Sequence, residues 1–378
     1  MSYLGHTQPS EKIDSADILD GSILPVAINP APTFPNAVVA HNMASQFAFK
    51  NRVLNGNFDF WERGTSQTAT GYGSADRWRL VRNVTTSTMS RVAFTAGQTD
   101  VPHEPAYHMR NVVVSSAGAA SYAFNRHVLG SIRTLAGKPV TLTFWAKANA
   151  VKNISVEWSS YTGNTAGVGA ATTTGMYATK YALSTAWQLI TMTVTLPIPA
   201  SVGSDGDDSI SFNIWYDAGS NYSNRTNALG QQSGTFDIAQ VQLEEGTVAT
   251  PFEMKPFAIE YMLLQQYYQK IAFTRSPVFM TSGGTAVGGR LYYPVAMIGT
   301  PTVTISTATW TSSLTLSGST TGDLASLAAT TATMTVSAAD IMATSLGISG
   351  INGQYAATTI WGGTATVSIA LEYELSGV

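Results

Sequence analysis

The stretch Val140–Ala148, VTLTFWAKA, decides the fold. Apolar and polar residues alternate along it, the period-two signature of a strand with one buried face. Three more stretches repeat the pattern: NISVEWSSY at 153–161, WQLITMTVTLPIP at 187–199 and SISFNIWYDA at 209–218. Leu142, Phe144, Ile154, Val156, Phe212 and Ile214 are the expected buried alternates. Turn-rich pieces such as SVGSDGDD and NTAGVGAATTTG separate these runs. Many short antiparallel strands of this kind predict an all-β sandwich or jelly roll, placed at 51–255.

Downstream, FDIAQVQLEEGTVATPFEMKPFAIEYMLLQQYYQK spans Phe236–Lys270. Phe236, Ile238, Val241 and Leu243 read as a strand with one slip of phase at Ala239-Gln240. A linking helix is expected at 256–271. Ile259, Leu263 and Tyr267 lie four apart, Met262, Leu264 and Tyr268 sit beside them, and Pro256 suits a helix start. A second, C-terminal β domain follows at 272–378. VFMTSGGTAVGGRLYYPVAM reads as a hairpin, followed by strands in TPTVTIS, SLTLSG, ATMTVSA and ATVSIALEYEL. Residues 306–335 are rich in Ser, Thr and Ala but keep the period of two.

Residues 1–50 have another texture. Five of the 15 prolines fall here: Pro9, Pro25, Pro30, Pro32 and Pro35. INPAPTFPN suits neither a central strand nor a helix interior. Ile13, Ile18, Ile23, Val26 and Ile28 are too sparse for a monomeric core. They suit a three-fold axis or a docking groove, so the segment is expected to be either disordered or ordered against a partner, as an extended attachment arm.

Composition narrows the function classes. Charged residues make up 11% of the 378, against roughly 25% in ordinary soluble domains. The net charge of -3 offers no basic field to nucleic acid or to an anionic membrane. Cysteine is absent, so neither a disulfide nor a thiolate metal site is possible. MSYLGHTQPSEK has no apolar core of a signal peptide, and no apolar run approaches the ~18 residues of a membrane span. The expectation is a particle-bound or extracellular β protein, made in the cytoplasm and carried outside by other means.

Two stretches carry a resemblance. NRVLNGNFDFWERGTS…GYGSADRW at 51–78 resembles the opening of a domain of tailed-bacteriophage tail fibre and receptor-binding proteins, and VQLEEGTVATPFEMKPFAIEYMLLQQYYQK resembles its close. LTFWAKA, TAWQLITMTVTLP and, after the helix, LYYPVAMIGTPTVTI also look like the family, so the resemblance covers about 51–300. ADILDGSI in the arm looks like the interlaced stretches of trimeric fibres. The resemblance implies a jelly roll similar to carbohydrate-binding modules and a homotrimeric virion fibre. Its helix would space one sandwich from the next. The arm, through Ile13, Ile18 and Ile23, would join other tail or neck proteins, and the distal C-terminal β domain would face the receptor and attach to host surface glycans. Nucleic acid and membrane insertion are not expected. The rivals are a head, collar or decoration protein without a receptor role, and a polysaccharide-degrading tail enzyme.

The chemistry favours binding over catalysis. Glu244-Glu245 and Asp207-Asp208 are adjacent carboxylates, and neighbours on a strand point to opposite faces, so neither pair is a glycosidase couple. His6, His41, His103, His108 and His127 have no zinc spacing, and no nucleophile elbow, Walker loop or dinucleotide fingerprint occurs. No catalytic residue and no cofactor are assigned. The resemblance implies a structural calcium at Asp59, between the NGNFD opening and the last strand. Here that strand reads Ile238-Ala239-Gln240-Val241, without carboxylates. The loop Asp205, Asp207, Asp208 is the other calcium candidate.

Flat rings grip the apolar faces of sugars. Trp158, Trp215 and Tyr216 in the sandwich, and Trp310, Tyr355 and Trp361 in the C-terminal domain, are the candidate carbohydrate contacts, Trp361 first. Trp61 and Trp78 are expected in the core. Arg77 is expected as a buried pairing partner of Asp76 or of a terminal strand. No Lys or Arg follows Arg290. Salt-dependent recognition would therefore move the site to the sandwich, where Lys147, Lys152 and Arg225 are available.

Overall fold

A computed structural model describes residues 49–163, 172–203 and 206–273. Beyond them it describes 279–282, 286–291, 294–298, 302–305, 310–314, 322–327, 334–336, 341–343, 346–347 and 367–372. The chain divides into Met1–Ala48 and Phe49–Val378. The arm, with Ile13, Ile18 and Ile23, lies outside the described residues, as do Asp205, Tyr355, Trp361 and the side chain of Trp310.

Eleven strands build a two-sheet sandwich. They are β1 (Ser66–Gln67), β2 (Trp78–Asn83), β3 (Thr86–Ala93), β4 (Tyr107–Val114), β5 (Tyr122–Gly130), β6 (Pro139–Ala148), β7 (Lys152–Tyr161), β8 (Thr172–Leu183), β9 (Gln188–Thr195), β10 (Ser209–Ala218) and β11 (Gly234–Glu245). One sheet runs β1-β3-β4-β11-β6-β9 and the other β2-β5-β10-β7-β8. The antiparallel pairs β4 with β11, β5 with β10, β6 with β9 and β7 with β8 nest inside one another along the sequence. That is one long hairpin rolled across two sheets, the definition of a jelly roll. The fold is therefore all-β with a jelly-roll sandwich, as the alternation predicts.

The core lies between the sheets. Leu142, Phe144, Ile154, Val156, Phe212 and Ile214 are all fully buried there. Trp78 belongs to the same core, and Trp61 packs against it. The slip of phase at Ala239-Gln240 is a β-bulge: pairing of β11 with β6 jumps between Ala239 and Gln242, and Gln240 has φ of 47°.

The opening motif is tied to that bulge. Asn55 Nδ2 donates to the carbonyls of Phe60 (2.8 Å) and Asp76 (3.0 Å), and its Oδ1 accepts from Phe60 N (3.0 Å). Gly56 O accepts from Val241 N (2.9 Å). Arg52 N donates to Leu243 O (2.7 Å), so the entering chain continues the six-stranded sheet beside its last strand.

The helix differs from the expected span. It covers Phe257–Gln265 (α1), and Pro256 precedes its first residue. Tyr268 already opens a strand, β12 (Tyr268–Phe273), which pairs with Val367–Glu372. Nor is α1 a detached spacer. Glu260 and Leu264 face inward, Phe60 packs on Phe257 (4.7 Å) and Tyr261 (5.8 Å), and Tyr267 lies over the Arg77 guanidinium (3.7 Å). Arg77 also donates to Val128 O (2.6 Å), while Arg63 pairs with Asp76 (3.0 Å).

In the C-terminal region Phe279–Ser282 and Ala286–Leu291 form the expected hairpin. Strands Thr302–Ile305, Met334–Val336 and Val367–Glu372 fall within three of the alternating stretches, whereas Trp310–Leu314 overlaps SLTLSG only at Ser313-Leu314.

Candidate functional site

Register alone assembles a transverse row on the outer face of the six-stranded sheet. Arg110 on β4 stands opposite Asp237 on β11, and Asp237 stands opposite Lys147 on β6. Trp145 opposes Leu189, and Trp187 immediately precedes β9. Alternation requires this, because Leu142, Phe144 and Ala146 point into the core and Trp145 and Lys147 therefore point out.

The row is a charge network edged by rings. Arg110 binds both oxygens of Asp237, through Nε (2.7 Å) and Nη2 (2.8 Å). Lys147 Nζ lies 3.9 Å from Asp237 Oδ2 and 4.9 Å from the Trp187 ring centroid. His108 is buried, with Nε2 at 3.5 Å from Asp237 Oδ2. Its ring packs between Phe94 (4.7 Å) and Trp187 (5.3 Å, edge-on). Trp145 and Trp187 are half-buried, and Trp187 also packs on Phe94 (5.4 Å).

Part of this face is covered, while Val112 and Val114 on β4 and Leu189 on β9 are exposed. Gln242 Nε2 donates to the carbonyls of Thr250 (3.2 Å) and Pro251 (3.3 Å), which lays the return segment over the Glu244 end. Gln240 Nε2 donates to Pro102 O (2.5 Å), anchoring loop 94–106. Both covers lie beyond Asp237 along β11, and toward its start the Trp145, Lys147, Arg110 and Trp187 window stays open, with the Arg110 and Lys147 side chains 35% and 29% exposed.

Burial alone would raise the Asp237 carboxyl. The hydrogen bonds from Arg110, with the nearby His108 ring, outweigh it and bring the carboxyl down to about 2. The usual value is 3.8, so the ionised form favours the folded state. This stabilisation, on the order of 2 kcal/mol, is complete above the unfolded value and is lost as pH falls toward 2. The advantage of wild type over Asp237→Asn in urea unfolding should therefore shrink between about pH 5 and pH 2. A constant gap across that range contradicts the assignment.

The structure corrects several sequence-based site residues. Trp158 and Tyr216 lie in the main core, and the Tyr216 hydroxyl donates to Asn125 Oδ1 (2.7 Å). Trp215 points outward from the five-stranded sheet but is fully buried in a satellite cluster with Phe124, Ala218 and Leu229. Its Nε1 donates to Glu157 Oε2 (2.7 Å), and Arg225 lies over its ring while pairing with Glu157 (2.6 Å). None of the three offers a ring to a ligand, because core packing or a covering loop already occupies both faces. Of the sandwich cations, Arg225 is committed to Glu157 and Lys147 belongs to the window.

The carboxylate pairs are separated, Glu244 from Glu245 by strand geometry and Asp207 from Asp208 by different partners. Glu244 is buried and accepts from Thr250 N (2.8 Å), while Glu245 is on the surface between Arg52 (2.6 Å) and Lys138 (2.9 Å). Asp208 accepts from Ser131 Oγ (2.6 Å) and Ile132 N (2.9 Å), and Asp207 faces Tyr161 OH (3.4 Å). Asp59 accepts from Asn57 Nδ2 (2.9 Å), and burial raises its carboxyl. Among the described residues no three His, Asp or Glu side chains gather in metal-binding geometry. Asp59, Asp207 and Asp208 therefore do not assemble the several anionic oxygens that calcium prefers.

No family model and no curated protein matches the chain. Among solved structures, a family 11 carbohydrate-binding module from Clostridium thermocellum, in complex with a β-1,3-1,4-mixed-linked tetrasaccharide, is 14% identical. The match covers 49% of this chain and 98% of that one, with a TM-score of 0.29. A putative sugar binding protein from Bacteroides thetaiotaomicron is 16% identical over 52% of this chain and 100% of that one (TM-score 0.32). The enzymatically active domain of tailspike protein 4 of bacteriophage CBA120 is 15% identical over 52% of this chain and 22% of that one (TM-score 0.30). The jelly-roll assignment rests on the strand order itself. No helix among the described residues is long and apolar enough to cross a membrane.

Proposed function

We propose that this chain is a non-enzymatic virion fibre protein that attaches to host surface glycans, and that the outer face of the six-stranded sheet makes a glycan contact. The carrying observation is the open window in which two half-buried tryptophans, Trp145 and Trp187, flank the donors Lys147 and Arg110. Ring faces beside fixed polar groups suit a sugar, whose apolar face stacks while its hydroxyls take hydrogen bonds. The virion setting rests on the resemblance of 51–78 and 241–270 to tail fibre proteins.

A homotrimer fits the exposed apolar side chains around α1: Met254 (50%), Phe257 (66%), Ile259 (39%) and Met262 (56%). Such a run would be covered in an assembly. The arm would join the fibre to other tail or neck proteins, and repeated copies would turn a weak sugar contact into avidity. Trp310, Tyr355 and Trp361 remain proposed contacts in the C-terminal region. A head, collar or decoration protein would share the fold and lack the receptor contact. A polysaccharide-degrading enzyme would need a carboxylate couple, and the pairs considered are held apart.

Adsorption to host cells separates these readings. Trp187→Ala should weaken adsorption at least tenfold while shifting the melting temperature by only a few degrees, because the side chain is half-buried. Trp361→Ala in parallel reports on the C-terminal region. Wild-type adsorption by Trp187→Ala removes the sheet from the receptor contact. Loss by neither variant favours the decoration reading.

A further inference from the structure

The charge layout of the window carries the reading one step further. Resting on the proposed glycan contact, we infer that this face selects an acidic saccharide, whose anionic group is held by Lys147 beside the Trp187 ring.

Arg110 occupies both oxygens of Asp237, at 2.7 and 2.8 Å, and so saturates the one carboxylate of the row. Lys147 is left 3.9 Å away, beyond hydrogen-bond reach. Its ammonium carries three donors and makes no hydrogen bond among the described residues. It is nevertheless held in place, 4.9 Å from the centroid of the Trp187 ring.

Two cations against one carboxylate leave the row with a surplus positive charge, in a chain whose net charge is -3. On the flanking loop, Glu104 accepts from Gly97 N (3.2 Å), and Asp100 is exposed to solvent. A neutral sugar would take hydroxyl hydrogen bonds from Lys147 and leave the charge unmatched. A carboxylate or sulfate on the sugar would match it and bring its own acceptors, while the pyranose ring lies on the half-buried tryptophans.

The test uses the full-length protein and a defined panel. Hexagalacturonate, trimeric α2,8-sialic acid and a sulfated galactan are the acidic members. Fully methyl-esterified hexagalacturonate and unsulfated galactan are the neutral ones. Affinity is measured by titration at about 50 and about 500 mM NaCl, where the screening length falls several-fold.

At least one acidic member should bind tenfold or more tighter than its neutral counterpart at low salt, and most of that preference should vanish at high salt. Lys147→Met keeps a long side chain over Trp187 and should abolish the preference, leaving residual binding of the neutral form. Binding that is equal for acidic and neutral members, yet lost in Trp187→Ala, overturns the acidic class and leaves the glycan contact standing. An acidic preference unchanged in Lys147→Met also overturns it. If no member binds the wild type, both readings fall together.

Discussion

Gly56→Ala should unfold the sandwich at a much lower temperature than wild type, by roughly 6–12 °C, corresponding to about 3 kcal/mol for a domain of this size. A Cβ built on Gly56 would stand 2.1 Å from the carbonyl oxygen of Val241 and 3.2 Å from its carbon. No flexible side chain is available to yield. The obstacle is backbone, at the bulge of the last strand, and it is fixed there by the hydrogen bond from Val241 N to Gly56 O. Either the opening turn lifts away and frees the polar ties of Asn55, or the bulge straightens and turns the outward residues of β11 out of phase. Gly97→Ala separates close approach from backbone conformation. Gly97 has φ of 80° with nothing within 4 Å of its Cβ position, so its replacement should cost only about 1 kcal/mol. If Gly56→Ala melts within 2 °C of wild type, which is less than about 1 kcal/mol here, the opening turn does not pin the last strand.

The same contact shows what the sequence could and could not disclose. NGNFDFW is legible as a motif, but its reason lies about 185 residues away, where the bulge brings a carbonyl against Gly56. The strands were readable because alternation is local, and so was the slip at Ala239-Gln240. The helix overran its true end because Tyr267 continues the four-residue spacing of Ile259 and Leu263, while Tyr268–Phe273 also fits a strand and has a partner in Val367–Glu372. That spacing also chose the wrong face: Ile259 is exposed, and Glu260, a residue usually left in water, is buried. For the site, parity alone sends Trp145 and Lys147 outward. Their neighbours Arg110, Asp237 and Trp187 come from three other strands or their flanks, and only register brings them together. Trp215 failed as a sugar platform for the complementary reason. Its outward direction was readable, whereas the cover given by Arg225 and Leu229 was not.

Glu260→Ala should be the most damaging change in the helix, costing about 3 kcal/mol. The Glu260 side chain is 8% exposed and that of Lys255 3%, with Nζ 3.9 Å from Oε1. Glu260 also accepts from the buried Asn55 N (2.8 Å), and Lys255 donates to Val53 O (2.6 Å). Together they fasten the outgoing chain to the backbone of the incoming one. Removing the carboxylate leaves a buried N–H without its acceptor and a buried ammonium without its nearest counter-charge, and both losses carry a full desolvation penalty. Burial raises the Glu260 acid and Lys255 opposes that rise. Glu260→Gln keeps an acceptor oxygen for Asn55 and should restore that part of the loss, leaving the part due to the unpaired Lys255 ammonium. Met262→Ser, at a position 56% exposed, should change monomer stability by less than about 1 kcal/mol. Hydrogen exchange then locates the damage. In Glu260→Ala, protection should fall together at 257–265 and at the Asn55 amide, because the two are halves of one clasp. Exchange that rises in the helix while Asn55 stays protected would mean that the opening turn holds without α1.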